Sequence, residues 1–239
     1  MKNRIKNFRL LPFVALLLLF FSCTKTETNH FPNGNLMSEI EYKWGKENGI
    51  SRYYYQEFPN CKELEISMKN GKKEGDCIHY YYTGQVESIT QYKNDSIDGI
   101  QSTYDWDGTK LSETHYRNGK KHGAYTTWHL NQQMMTEGAF SEGFFDGGWK
   151  YYDERGFCIG EGEFQKGTGV HTAYDGKGNL IRITHYKNNL KDGAEISFAS
   201  NGDTIQHLIF KEDHIIETLL DTINPIMPID TIQREILYF

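Results

Sequence analysis

Glycines and large aromatic side chains recur along most of the chain at fixed intervals, separated by short stretches in which polar and apolar residues alternate. One series of glycines stands at positions 49, 75, 99, 123, 147, 169 and 193, with gaps of 26, 24, 24, 24, 22 and 24 residues. Five residues after each comes an aromatic: Tyr54, Tyr80, Tyr104, Trp128, Tyr152, Tyr174 and Phe198. Nine residues after the glycine comes a turn residue, Gly84, Gly108, Gln132, Gly156, Gly178 or Gly202, with Asn60 two places late in the first unit. Eight residues beyond that turn stands a second large side chain: Met68, Tyr92, Tyr116, Phe140, Phe164, Tyr186 and Phe210. Gly34 to Tyr42 is the same half-unit once more. The next glycine follows seven residues later, except after Phe164, where the interval is five. The period is 24.

Both segments of each unit have strand length, and Asn70-Gly71, Asp107-Gly108, Asn118-Gly119 and Asn201-Gly202 are favoured hairpin dipeptides. The spacing therefore predicts an all-β fold: an elongated antiparallel meander of seven to eight β-hairpin repeats of about 24 residues, roughly 70 Å long at ~10 Å per hairpin. No proline occurs between Pro59 and Pro225, as strands paired on both sides require. Alternation also assigns a face. Val86, Ser88, Thr90 and Tyr92 share one side, as do Cys158, Gly160, Gly162 and Phe164, and Leu180, Arg182, Thr184 and Tyr186. Small residues beside a ring leave room for the neighbouring strand's ring, so this stripe is the expected core. The opposite face is mixed, with Glu87, Ile89 and Gln91, then Glu113 and His115, then Ile181, Ile183 and His185.

Composition agrees with this reading. The 239 residues include 34 Phe, Trp or Tyr and 23 Gly, a mix that favours strands and turns. Net charge is −6, but the first 22 residues hold four basic residues and no acidic ones. Beyond them 22 basic residues face 32 acidic ones, a balance of −10. Binding to nucleic acid or to an anionic membrane surface through the repeats is disfavoured, because both depend on Lys and Arg meeting phosphate.

The N-terminus reads as an address. Lys2, Arg4, Lys6 and Arg9 precede the apolar run from Leu10 to Phe21, which is too short for a spanning helix and fits a signal-peptide h-region. Ser22 directly before Cys23 resembles the bacterial lipobox. That resemblance implies cleavage before Cys23, a diacylglyceryl group on its thiol, and transfer to the outer membrane of a bacterial envelope, since Thr24 and not Asp follows. The expected division is a signal peptide over 1–22, a lipidated Cys23 and polar tether over 23–30, a repeat domain over 31–210, and a C-terminal cap or tail over 211–239.

Units such as Gly99-Ile-Gln-Ser-Thr-Tyr104 and Tyr116-Arg-Asn-Gly-Lys-Lys-His-Gly123 resemble the bacterial MORN-repeat variant, whose members include YwqK-like antitoxins. The resemblance implies a binding or scaffolding module. It leaves open an immunity protein that masks one toxin; with a lipoprotein signal, that target would lie in the envelope.

Candidate chemistry is sparse. His115 and His185 occupy equivalent places three units apart, which suits solvent-facing strand positions better than a shared ligand site. Asp105-Trp-Asp-Gly108 opens like a calcium loop but lacks the closing Glu, and the same place is a plain turn in other units. Asp98, Asp146 and Asp192 each precede a repeat glycine and read as turn residues. Cys61, Cys77 and Cys158 are expected to be free thiols, Cys61 and Cys77 beginning strands near opposite rims. One rim carries net positive turns and the other net negative ones. Residues 211–239 break the pattern with Ile215-Ile216, Leu219-Leu220 and Glu235-Ile-Leu-Tyr-Phe239, as a cap on the last hairpin or a partner-binding tail would. No nucleophile, base or ligand set breaks the repeat symmetry, so neither catalysis nor a cofactor is expected. The partners expected are an unknown protein or envelope component, and the membrane through the lipid on Cys23. The thirteen repeat aromatics, one after each glycine and one after each turn with Met68 left aside, define the repeat, and whichever of them are exposed are the candidate hot spots for a partner.

Overall fold

The computed structural model describes residues 24–222. Among them all regular structure is strand, and eighteen strands join in chain order into one antiparallel sheet. The first, β1 (Thr24–His30), pairs with β2 (Leu36–Lys43). β3 (Lys46–Glu47) and β4 (Gly49–Tyr54) both lie against β2 and form one interrupted strand. Hairpins follow: β5 (Lys62–Lys69) with β6 (Lys72–Tyr80), β7 (Val86–Lys93) with β8 (Ser96–Tyr104), β9 (Lys110–Arg117) with β10 (Lys120–Trp128), and β11 (Met134–Ser141) with β12 (Phe144–Tyr152). The series ends with β13 (Cys158–Gln165) and β14 (Thr168–Tyr174), β15 (Leu180–Lys187) and β16 (Leu190–Phe198), and β17 (Thr204–Lys211) and β18 (His214–Asp221). The expected meander is present, with eight hairpins from β2 onward.

The tight turn inside each hairpin lies on one long edge, the near rim. The wider turn leading to the next hairpin lies on the other, the far rim. All eight near-rim turns, from Trp44-Gly45 to Glu212-Asp213, have two central residues with positive φ, 49–56° at the first and 65–92° at the second. This is the turn whose twist matches that of the flanking strands.

The repeat glycines mark a second local device. Where β5 runs from Ile66 to Met68, its partner β6 runs from Cys77 to Lys73, two residues more. The same two-residue bulge recurs in β8, β10, β12 and β16. Each is built around a glycine with φ between 73° and 125°, among them Gly75, Gly99, Gly123, Gly147 and Gly193, where an L side chain would be strained. The β13–β14 hairpin has no such shift, and Gly169 has no positive φ. Two residues fewer are needed there, which accounts for the gap of 22 in the glycine series. Gly169 is held to glycine by crowding instead, since a Cβ there would meet the Glu163 carbonyl oxygen.

Toward the near rim each repeat glycine faces the second large side chain of the following strand: Gly49 opposite Met68, Gly75 opposite Tyr92, and so on to Gly193 opposite Phe210. One row of register partners runs from Ser51 through Ile66, Cys77, Thr90, Gln101 and Thr114 to Tyr125. It resumes as Trp149, Gly162, His171, Thr184, Glu195 and Leu208. Most of this row is buried, including Thr90, Thr114, Thr184 and Cys77, so the middle of the expected core stripe is buried; Cys158 and Arg182, placed on the same stripe but toward the far-rim ends of β13 and β15, are exposed. At its centre Phe140, Trp149 and Phe164 form an aromatic cluster, flanked by Tyr125, Phe145, Tyr151 and Tyr186. Gly138 makes room for Trp149, whose ring a Cβ there would strike, and the indole donates to the Ala139 carbonyl.

Two boundaries and one cysteine differ from the sequence-based expectation. Residues 24–30, expected as part of a tether, form β1, paired along its length with β2. The array does not stop at 210, because β18 extends it to Asp221; residues 223–239, the rest of the expected cap or tail, lie outside the described residues, as does the signal segment with Cys23. Cys77 does not begin a strand at a rim but sits mid-strand between Ile66 and Thr90. It is a free, buried thiol whose pKa burial raises; Cys61 and Cys158 are also free.

Candidate functional site

The thirteen repeat aromatics fall on two faces. The first aromatic of each unit, from Tyr54 to Phe198, is the last residue of its strand at the far rim. The second, from Tyr92 to Phe210, lies next to last in its strand on the core face. All are half-buried or buried, so their rings serve the packing of the repeat and none stands as a fully exposed hot spot.

The first aromatics face a ladder of glutamates. Tyr54, Tyr152 and Tyr174 donate their hydroxyls to Glu39, Glu137 and Glu161 at 2.7, 2.6 and 2.8 Å. These carboxylates stand three residues before the second large side chain, as do Glu65 and Glu113. Glu65 takes Arg52 and Lys62, and Lys110 pairs with Glu113. Lys62 also lies 4.4 Å from the centre of the Tyr80 ring. The hydrogen bond to Glu137, with burial second, pushes the Tyr152 hydroxyl up to about 12, because an accepting carboxylate favours the protonated phenol. The ladder is thus internally paired, and the sequence reading did not single it out.

The near rim is stapled from repeat to repeat. The residue before each bulge glycine accepts the backbone N–H that opens the next near-rim turn: Glu74 from Asn94 at 2.9 Å, Asp98 from Asn118 at 3.0 Å, Asp146 from Lys166 at 3.1 Å. Asn48 and His122 serve the same purpose. The third aspartate of the series, Asp192, pairs with Lys211 at 2.7 Å, which holds its carboxyl below the usual range. These are structural turn residues. His115 approaches Glu113, and His185 bonds the Ala194 carbonyl, without converging on each other. Asp105 and Asp107 accept N–H groups within their own turn. Among the described residues no group of three or more His, Cys, Asp or Glu is placed to hold a metal ion.

The far rim is different. Its turns are four residues long, closed by bonds such as Gly84 N–H to Tyr81 O and Gly108 N–H to Asp105 O, except between β4 and β5, where the connection is two residues longer and Cys61 N–H closes on Phe58 O. Five consecutive turns each project a large exposed apolar side chain: Phe58 at 43%, Tyr82 at 55%, Trp106 at 65%, Leu130 at 67% and Phe157 at 59%. Phe58 and Tyr82 stack across neighbouring turns at 4.7 Å, and Arg155 covers Phe157. An open cleft of about 390 Å³ lies beside Leu130, lined by Leu111, Trp128, His129, Met135 and Glu154 among others. The sequence reading missed this row, although Tyr82, Trp106 and Leu130 share the place seven residues after a repeat glycine.

The model of the MORN repeat variant family matches this chain. It does so at residues 24–43 and 73–94. Each match spans a strand, a far-rim turn and the next strand, and the first begins with β1 and so includes the segment expected as a tether. No curated protein matches. Among solved structures, the crystal structure of TcdB2-TccC3-Cdc42 is similar over 79% of this chain and 12% of that chain, at 11% identity and a TM-score of 0.23. The chain thus spans about an eighth of the length of that structure's chain.

Proposed function

We propose that this chain is a lipid-anchored repeat protein of the bacterial cell envelope that binds another protein or envelope component without catalysis. One observation carries the binding reading: an open, single-layer repeat sheet whose polar groups are paired within the repeats, yet whose far rim projects a row of exposed apolar side chains. Such rows on a chain with ample polar surface mark interaction sites. The anchor rests on the sequence from Lys2 to Cys23. With β1 starting at Thr24, a lipid on Cys23 would attach directly to the first strand and set that edge of the sheet against the membrane. Acyl chains of that kind give stable anchoring when two or more are present. Transfer to the outer membrane follows from the lipobox resemblance. A second reading, an immunity protein masking one envelope-acting toxin, uses the same surface.

The test is in-cell crosslinking and affinity capture of tagged protein, native against Cys23→Ala, with metabolic labelling by an alkyne fatty acid. The proposal expects label on the native form only and a stoichiometric partner. A partner toxic when expressed alone selects immunity; a partner set lost with the anchor selects scaffolding. Unlabelled native protein removes the anchor, and capture of nothing by either form removes the binding role.

A further inference from the structure

The far-rim row demands an explanation that folding does not supply. In a four-residue turn of this kind the second position tolerates most residues, and Pro32, Glu154, Gly176 and Ser200 occupy it elsewhere on the same rim. Tyr82, Trp106 and Leu130 take that position in three consecutive turns, with Phe58 and Phe157 on either side. The row is confined to five neighbouring turns and is absent from the last two, 175–179 and 199–203.

Period and charge narrow what would lie on it. Successive far-rim turns are two strands apart, so their tips repeat about every 10 Å. A polyproline-II segment turns once in three residues, about 9.3 Å, and has no internal hydrogen bonds to give up on docking. Rows of aromatic side chains are how such segments are recognised. The same turns carry Glu57, Asp105, Asp107, Asp153 and Glu154 against Arg155, so the surroundings are acidic.

Resting on the protein-binding reading above, we propose that the row Phe58, Tyr82, Trp106, Leu130 and Phe157 binds an extended, proline-rich and basic segment of a protein partner. Prolines seat between successive tips from Tyr82 to Phe157, with the cleft beside Leu130 taking one of them; the stacked Phe58 and Tyr82 rings leave no gap and act as one platform at the end of the row. Lys or Arg between the prolines meets the acidic turns. An anionic lipid surface is the rival occupant, and the acidic turns disfavour it.

The experiment uses residues 24–239 and three synthetic probes: a fifteen-residue peptide of repeated Pro-Pro-Lys, the same with Glu for Lys, and the same with Gly-Ser replacing Pro-Pro. Binding is followed by calorimetry or fluorescence anisotropy. The expected result is binding by the first peptide that weakens with salt, no binding by the second, and at least tenfold weaker binding by the third. A Tyr82→Ser, Trp106→Ser, Leu130→Ser triple variant should lose at least tenfold in affinity with an unchanged melting temperature, because these side chains are exposed. Equal binding by the triple variant, equal binding by the Gly-Ser peptide, no binding by any probe, or docking of phosphatidylglycerol vesicles through the same residues would overturn the proposal. If the triple variant still captures the native partner in cells, the row fails while the protein-binding reading stands.

Discussion

The near and far rims are built from the same number of turns, yet one is fixed by backbone geometry and the other is free. Every near-rim turn needs positive φ at two successive residues; five of the eight close on Gly, and the other three close on Asp95, Asn189 and Asp213, side chains that tolerate that conformation. Its outward groups are further used by repeat-to-repeat bonds from Glu74, Asp98 and Asp146. Far-rim turns ask for a glycine or its like only at the closing position, as at Gly84, Gly108 and Gly156. The near rim exposes Trp44 at one tip, but only on the far rim do large apolar side chains recur from turn to turn, where the fold imposes least and selection for something other than folding shows.

The largest effect should come from neither rim but from the strip between them, and it sets the scale. Trp149→Ala removes a buried indole that packs on Phe140 at 5.1 Å and Phe145 at 4.8 Å, and should cost about 3–5 kcal/mol, read by urea denaturation. Next comes the bulge. Gly99→Ala places a Cβ against Gln91 in a backbone with φ 125°, and about 1–2 kcal/mol of lost stability is expected, with a drop in melting temperature. A near-rim tip, Asn118→Val at φ 49°, should cost on the order of 1 kcal/mol by the same strain. The far-rim Trp106→Ser should stay within about 0.5 kcal/mol of the parent in the same melts. An Asn118 variant as stable as the Trp106 variant would erase the distinction between the rims.

An alkaline titration examines the sheet between them. Tyr151, through burial, and Tyr152, through its bond to Glu137, both ionise near 12 in the folded chain. An unfolded tyrosine ionises near 10. The folded chain therefore holds protons that the unfolded chain releases, so the stabilisation is intact below pH about 10 and declines as pH rises toward 12. Absorbance at 295 nm should show late-ionising tyrosines, with Tyr151 and Tyr152 among them, and Glu137→Gln should bring Tyr152 back toward its ordinary range. The acid side has the opposite sign. Burial lowers the pKa of His171, so the unfolded chain takes up a proton first and stability falls as pH drops below about 6.5.

Much of the architecture was legible because each repeat residue answers a backbone need. The glycine series records the bulges, and even its irregular gap of 22 records the hairpin that lacks one. The core stripe followed from small residues alternating with Tyr92, Phe164 and Tyr186. β1 was not legible: Thr24-Lys-Thr-Glu-Thr-Asn-His has no large apolar residue, since an edge strand fully exposed on both faces buries nothing. The glutamate ladder and the turn staples were hidden for another reason. Asp98 and Asn118 are twenty residues apart, and only the register shows that their turns abut. The far-rim row was passed over because Tyr82 and Trp106 stand beside stronger repeat aromatics, and a single sequence does not show which rings are turned outward.

The strict order of the meander has a mechanical consequence. Among the described residues strands pair only with their neighbours in the chain, so no strand pairing ties a distant part of the sheet to its first edge. A pull between the two ends would not load all strands in parallel; it would peel them singly, like tape from a surface. Each detached hairpin would release about 24 residues, or roughly 80 Å of slack. Such a sheet yields gradually under load and rewinds from whichever hairpins remain.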